Sequence, residues 1–153
     1  MVHILLEICT DQNNMRTFRI IAHTADVRVK VAASSLEELF TVSLEGMNQI
    51  LKRNFCKRKN GLPSTIHQIE ISSADTTALL IDFLSEALTL SHIHGAIFCQ
   101  VEFAELAAHS LTANLLGTQV KSFDEDIKAV SYHEAEIERN SRGNLQTNLV
   151  FDI

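Results

Sequence analysis

Proline is almost missing from this chain: Pro63 is the only one in 153 residues, and with Gly61 it marks a loop. Cysteine is scarce as well. Cys9, Cys56 and Cys99 stand far apart in no paired spacing. That argues against a disulfide framework or a structural zinc site, and for a reducing compartment. No apolar run approaches the ~20 residues of a membrane helix. The start, Met1 to Leu6, lacks a basic n-region and a small-residue cleavage site, so export is not expected and a cytoplasmic address is. Positive charge is in deficit, with a formal net charge of −6, which argues against a generic nucleic-acid coat. RNA chemistry carried by a partner is still compatible with it. Nucleophile motifs, phosphate loops, dinucleotide fingerprints, internal repeats and low-complexity tracts are all missing. An independent enzyme would need a site that the sequence does not display.

What is present is ordinary globular material: 46% hydrophobic and 21% charged residues, enough to bury a real core. Residues 15–153 read as a single domain. Residues 1–14 end in the polar run Thr10-Asp11-Gln12-Asn13-Asn14, just before a second methionine, Met15. They read as a flexible or docked extension, or as an artefact of start-site choice.

Phe18–Ala22 is short, apolar and bounded, as a buried strand is. Val27, Val29, Val31 and Ala33 then alternate with Arg28 and Lys30, the period of a half-buried strand. Asp26 shares parity with the two basic residues and so starts that strand off the core face. Ser34 and Ser35 each have a Glu three residues on, a capping box in either register. The helix that follows puts Leu36, Phe40, Leu44, Met47 and Leu51 on one face and ends at Lys52-Arg53. Lys52–Lys59 holds five of the 13 basic residues. A strand near 66–72 alternates poorly. Asp75 caps a second helix running from Thr76 to about Leu90, apolar apart from Asp82 and Glu86. After Gly95 the pattern is of strands: Ile97 to Phe103, Leu111 to Leu115, a long strand with Ile127, Ala129, Ser131, His133, Ala135 and Ile137 on one face, and a last one with Leu145, Thr147, Leu149, Phe151 and Ile153 on one face. The predicted order is β-β-α-β-α-β-β-β-β. It defines an α+β class with two helices packed on a mixed, mostly antiparallel sheet.

The last two predicted strands are joined by Arg139-Asn140-Ser141-Arg142-Gly143-Asn144, a turn-forming stretch. They are expected to form an antiparallel hairpin, which brings residues around Lys128 to Tyr132 beside Asp152. An antiparallel neighbour ending at Asp152 would also bring that carboxylate to Asp26; periodicity alone does not supply this pairing. If Ile153 is the native end, its α-carboxylate joins the same edge. Oxygens converging without sulfur suit Ca²⁺ or Mg²⁺. A bound cation, or Lys128, would relieve the mutual repulsion of the carboxylates.

These residues resemble the archease family. His23-Thr24-Ala25-Asp26-Val27 is similar to its N-terminal HTAD signature, and Ser35-Leu36-Glu37-Glu38-Leu39-Phe40 with Gly46-Met47 to its first helix. Leu79-Leu80-Ile81-Asp82-Phe83-Leu84-Ser85-Glu86 resembles its second helix, Ile127-Lys128-Ala129-Val130-Ser131-Tyr132-His133 its late strand motif, and Phe151-Asp152-Ile153 its terminus. Each segment is weak, but together and in order they are specific from about Phe18 onward. The resemblance implies a non-enzymatic accessory of an RtcB-type RNA ligase in tRNA splicing and RNA repair, promoting the ligase's guanylylation and multiple turnover. GTP and Mn²⁺ are then used at the ligase, and RNA is met only through it. The resemblance also implies a metal site, for Ca²⁺ or another hard divalent cation, at Asp26, Asp152 and Ile153, with Lys128 as the partner-activating lysine. Ala22 departs from the family's usual polar or acidic residue, which leaves one acid fewer and weaker metal binding expected. The basic run Lys52–Lys59 and the leader before Met15 lie outside the family's pattern.

Each feature has a plainer reading. By spacing alone Asp26 is a turn or cap aspartate, Asp152 a tail residue and Lys128 a solvated strand lysine; the resemblance raises all three. His23 is expected to support the site from behind or cap the turn rather than touch the ion. His92 and His94 read as a helix-end and turn pair, Asp82 and Glu86 as the exposed edge of a buried helix, the basic run as a solvated helix end, and Cys99 as a small buried hydrophobe. Against the accessory reading stand a metal-dependent hydrolase using the same carboxylates and a chaperone-like protein-binding module.

Overall fold

The computed structural model describes residues 15–22, 25–58 and 62–153. The expected extension at 1–14 and His23 lie outside the described residues. The elements are β1 (Arg16–Ala22), β2 (Asp26–Ala33), α1 (Leu36–Leu51), β3 (Thr65–Ser72), α2 (Thr76–His94), β4 (Ala96–Leu106), β5 (Ser110–Gln119), β6 (Ala129–Ser131), β7 (Glu138–Arg139) and β8 (Leu145–Asp152). This is the expected α+β class with its two helices. The strands form two sheets: a five-stranded one ordered β1-β2-β8-β6, with β7 also on β8, and a three-stranded one ordered β3-β5-β4. Each of these pairings is antiparallel.

Local chemistry explains the helices. Of the two serine registers, α1 uses Ser35, whose Oγ accepts from Glu38 N at 3.2 Å. Asp75 caps α2 by accepting from Ala78 N at 2.8 Å, and Gly95 ends it at φ 57° in the left-handed conformation that a residue without Cβ adopts cheaply. That stop lies a full turn beyond the expected one near Leu90. Helix α1 packs on β1 and β2 of one sheet and on β4 of the other, while α2 packs on β3, β4, β5 and β6. One hydrophobic core therefore joins both sheets through the helices, with Phe40, Phe83, Phe98 and Phe151 fully buried.

Two expectations need correction. The long strand through residues 127–137 is broken into β6 and β7. Ile127 and Ala135 are still buried, but the backbone between the two strands leaves the sheet, with Glu134 at φ 66°. That excursion lets the Tyr132 hydroxyl donate to Asp82 on α2, Ile137 N donate to Thr77 Oγ1 at 3.2 Å, and Glu134 pair with Arg28 at 2.6 Å. Period-2 apolarity records only which side faces the core, and a short loop can satisfy it as well as a strand.

The cysteine reading is also corrected. Cys99 is half-buried and forms a disulfide with Cys56, 43 residues away, with Cα atoms 5.4 Å apart. The pairing is a product of packing. Asn48 of α1 donates its side-chain amide to the carbonyl of Phe98 at 2.8 Å, so the chain leaving α1 runs past β4.

Candidate functional site

Strand β8 is central in its sheet, with β2 on one side and β6 on the other. Its alternation puts Thr147, Leu149 and Phe151 in the core, which leaves Asp152 on the opposite face. In β2, Val27, Val29 and Val31 are buried, so Asp26 likewise stands on the outer face with Arg28 and Lys30. The register places Asp26 directly opposite Asp152. The pairing that the sequence could only assume is therefore present.

The backbone fixes how close the pair is. Ile153 N donates to Ala25 O at 3.4 Å, one step further along the ladder. Hydrogen-bonded and non-hydrogen-bonded pairs alternate between antiparallel strands, so Asp26 and Asp152 form a close, non-hydrogen-bonded pair with Cα atoms about 4.5 Å apart. On the other flank Lys128 N donates to Asp152 O at 2.7 Å, and Ala129 is the register partner of Asp152. Asp26, Asp152, Ile153 and Lys128 thus meet at one end of the sheet.

Like charges directly opposed on a sheet repel, and the described residues neutralise these two only weakly. Arg28 approaches Asp26 Oδ1 at 3.9 Å, but its short contact, 2.6 Å, is to Glu134. Asp26 Oδ1 is buried and accepts no hydrogen bond among the described residues. An ionised oxygen withheld from water without a donor costs free energy unless a cation faces it. The donor set is oxygen alone, which fits a hard divalent cation. Among the described residues no three His, Cys, Asp or Glu side chains gather as a metal cluster. Further oxygens would come from the backbone there, or from the α-carboxylate of Ile153 where that residue ends the chain. The ammonium of Lys128 makes no ion pair within 4.0 Å among the described residues, and its residue is exposed.

A second polar cluster was not foreseen. Asp82, expected as a solvated helix edge, accepts from Ser73 Oγ at 2.6 Å with one oxygen and from the Tyr132 hydroxyl with the other. It ties β6 to α2 four residues beyond Lys128, and so holds the chain that displays the lysine. Tyr132 is nonetheless 59% exposed. The hydrogen bond to Asp82, then partial burial and the negative charge of Asp82, raise the phenol above its ordinary 10.0. Tyr132 is the sole tyrosine in the chain, so an ultraviolet titration of phenolate reads this group alone. Its midpoint is expected above 10.0 in the native protein and should fall back towards that value in Asp82→Asn. Because the folded value is raised, the bond supports the fold below the ordinary tyrosine range and is lost as pH climbs through the native midpoint. An unshifted midpoint in the native protein would show that the bond does not form. His92 and His94 sit in the last turn of α2 as expected, His92 facing Asp126 at 3.7 Å and His94 stacked on His67 at 4.0 Å.

Two helices bridging two antiparallel sheets, with a diacid pair closing one sheet end at the chain's last strand, define the class of protein. Comparisons carry it further. Residues 18–153 match the model of the "Archease protein family (MTH1598/TM1083)", and the chain belongs to that family. It is 31% identical over 147 residues to the archease of Methanosarcina barkeri, covering 90% of this chain and 97% of that one. It is 28% identical over 148 residues to the archease of Pyrococcus abyssi, covering 91% and 100%. Among solved structures it resembles protein 1598 of Methanobacterium thermoautotrophicum, with a TM-score of 0.69 at 24% identity, over 89% of this chain and 98% of that one. It also resembles an archease from Thermotoga maritima described as a possible chaperone, with a TM-score of 0.56 at 23% identity, over 87% and 94%. At these identities the two structures speak for the fold.

Proposed function

We propose that this protein activates an RtcB-type RNA ligase in tRNA splicing and RNA repair, promoting the ligase's guanylylation and multiple turnover, and performs no catalysis itself. The observation that carries the reading is the opposition of Asp26 and Asp152 at the sheet end, in a chain of the archease family. Asp26, Asp152 and Ile153 would hold Ca²⁺ or another hard divalent cation, Ile153 through its α-carboxylate where it ends the chain; His23, outside the described residues, is the candidate supporting residue. The ion supplies positive charge that lets the carboxylates lie together and seats the last residues against β2. Lys128, whose backbone is bonded to Asp152, is then presented to the ligase from a fixed edge. GTP and Mn²⁺ act on the ligase, and RNA is contacted only through it. No helix among the described residues is long and apolar enough to cross a membrane.

The test is direct. Added in substoichiometric amounts to an RtcB-type ligase with GTP and Mn²⁺, the protein should raise ligations per ligase above one. Lys128→Ala should remove most of that gain while Ca²⁺ binding stays intact. Unchanged turnover would sink the accessory reading. Phosphoester hydrolysis by the protein alone, lost in Asp152→Ala, would favour a metal-dependent hydrolase instead. Capture of unfolded clients, indifferent to both aspartates, would favour a chaperone-like module, the description given to the Thermotoga relative.

A further inference from the structure

We infer that Cys56 and Cys99 form a reversible thiol–disulfide site, oxidised by a low-molecular-weight disulfide of the glutathione class, that locks the basic segment after α1 onto β4. The two residues belong to different parts of the chain, yet their Cα atoms lie 5.4 Å apart, inside the range that a disulfide needs without backbone movement. Cys99 sits where the β4–β5 register slips between Ile97 and Gln100, and a bulge of this kind re-aims a side chain. Neither sulfur belongs to the carboxylate edge.

Access and charge suit such a reagent. Both cysteines line one solvent-open cavity of about 870 Å³, and Cys56 is the more exposed of the two. Lys57 and Arg58 follow it directly, and Arg58 shares the cavity wall. Two acids share that wall: Glu45, which is paired with Arg16 at 3.3 Å, and Glu102 on β4. The wall as a whole is balanced in charge, and the positive charge an anionic tripeptide disulfide meets is local, from Lys57 and Arg58 directly after Cys56. The thiolate of Cys56 attacks one sulfur of the reagent and expels the first small thiol. The thiolate of Cys99 then attacks Cys56 Sγ in the mixed disulfide and expels the second. Two protein thiols are oxidised, one small disulfide is reduced, and the two thiol protons end on the two released small thiols.

The physical consequence concerns residues 52–58. The start of this segment is held to the loop before β6, through Lys52 Nζ to Ser122 O at 2.9 Å and Arg53 N to Asp124 Oδ2 at 2.9 Å. The sulfur bridge supplies a covalent tie at its far end. In the oxidised protein the cations of this segment are pinned over β4; in the reduced protein the segment can open locally.

The full chain, carrying Cys9→Ser to remove the third thiol, is equilibrated in reduced and in oxidised glutathione, alkylated, digested and weighed. The oxidised sample should yield a peptide pair linked through Cys56 and Cys99 that reduced glutathione reopens. Its Tm should be about 10 °C higher than that of the reduced sample, because the bridge closes a loop of 43 residues in the unfolded chain. Tryptic cleavage at Lys57 and Arg58 should slow by roughly tenfold. Cys56→Ser, at the exposed position, should fold and lose all three responses. Alkylation of both cysteines in oxidised glutathione would overturn the proposal, as would a bridge that reduced glutathione does not open, or a redox response that survives in Cys56→Ser.

Discussion

Asp152→Asn is expected to weaken Ca²⁺ binding by roughly 10- to 100-fold in calorimetry, while leaving the metal-free fold at least as stable. The two halves of this expectation share one cause. Asp26 and Asp152 stand directly opposite on neighbouring strands, and Asp26 Oδ1 is buried with no hydrogen-bond donor among the described residues. A doubly charged ion about 2.4 Å from a carboxylate oxygen gains roughly 3.5 kcal/mol from that one carboxylate even at the dielectric constant of water, part of it offset by lost hydration. Asparagine keeps the size and one oxygen but forfeits the charge. Without the ion, the same substitution removes a like-charge repulsion. The rise in Tm that Ca²⁺ gives the native protein by binding the folded state should therefore shrink or vanish in the variant. Asp26→Asn should behave alike. Equal Ca²⁺ affinity in native protein and both variants would place the ion elsewhere, and ligase activation would then rest on Lys128 alone.

Phe151→Ala carries the largest expected loss of stability, about 3–5 kcal/mol, or a fall in Tm of about 10 °C. Phe151 is fully buried in the central strand, with Val27 as its register partner on one side and Val130 on the other. Both partners are themselves buried, so little nearby structure is free to collapse into the cavity. Asp152 is the next residue, and a slack Phe151 loosens the strand end that carries it. The variant should thus lose Ca²⁺ affinity as well as stability, whereas Asp152→Asn loses only the former. Phe151→Leu, which keeps most of the volume, should retain the ion and cost far less. A fall of under about 3 °C for Phe151→Ala would show that the strand end is held by something other than its core residue.

The helices were legible because their signals are local. Ser35 and Asp75 before apolar periodic runs, and Gly95 after one, mark ends through hydrogen bonds and backbone angles within a few residues. The strands β2, β5 and β8 were legible for the same reason, since Val27-Val29-Val31, Leu111-Ala113-Leu115 and Leu149-Phe151 alternate strictly. The break between β6 and β7 was not. Ile127, Ala135 and Ile137 keep an apolar rhythm, while the contacts that accompany the break are with residues far off in the chain: Tyr132 with Asp82, Ile137 with Thr77 and Glu134 with Arg28. The Cys56–Cys99 pair was hidden by its separation in the chain, and only the packing of α1 on β4 brings the two together.

The candidate site divides along the same line. By itself the sequence determined that Asp26 opens a strand off the core face, that Asp152 closes the last one, and that a hairpin brings Lys128 near that end. Parity and turn chemistry are properties of consecutive residues, so they are written in order along the chain. Only the tertiary structure decided that β2 and β8 are neighbours and in the register that sets Asp26 against Asp152. Which strand pairs with which depends on how two helices distribute eight strands between two sheets, an energy shared by the whole core and carried by no single stretch.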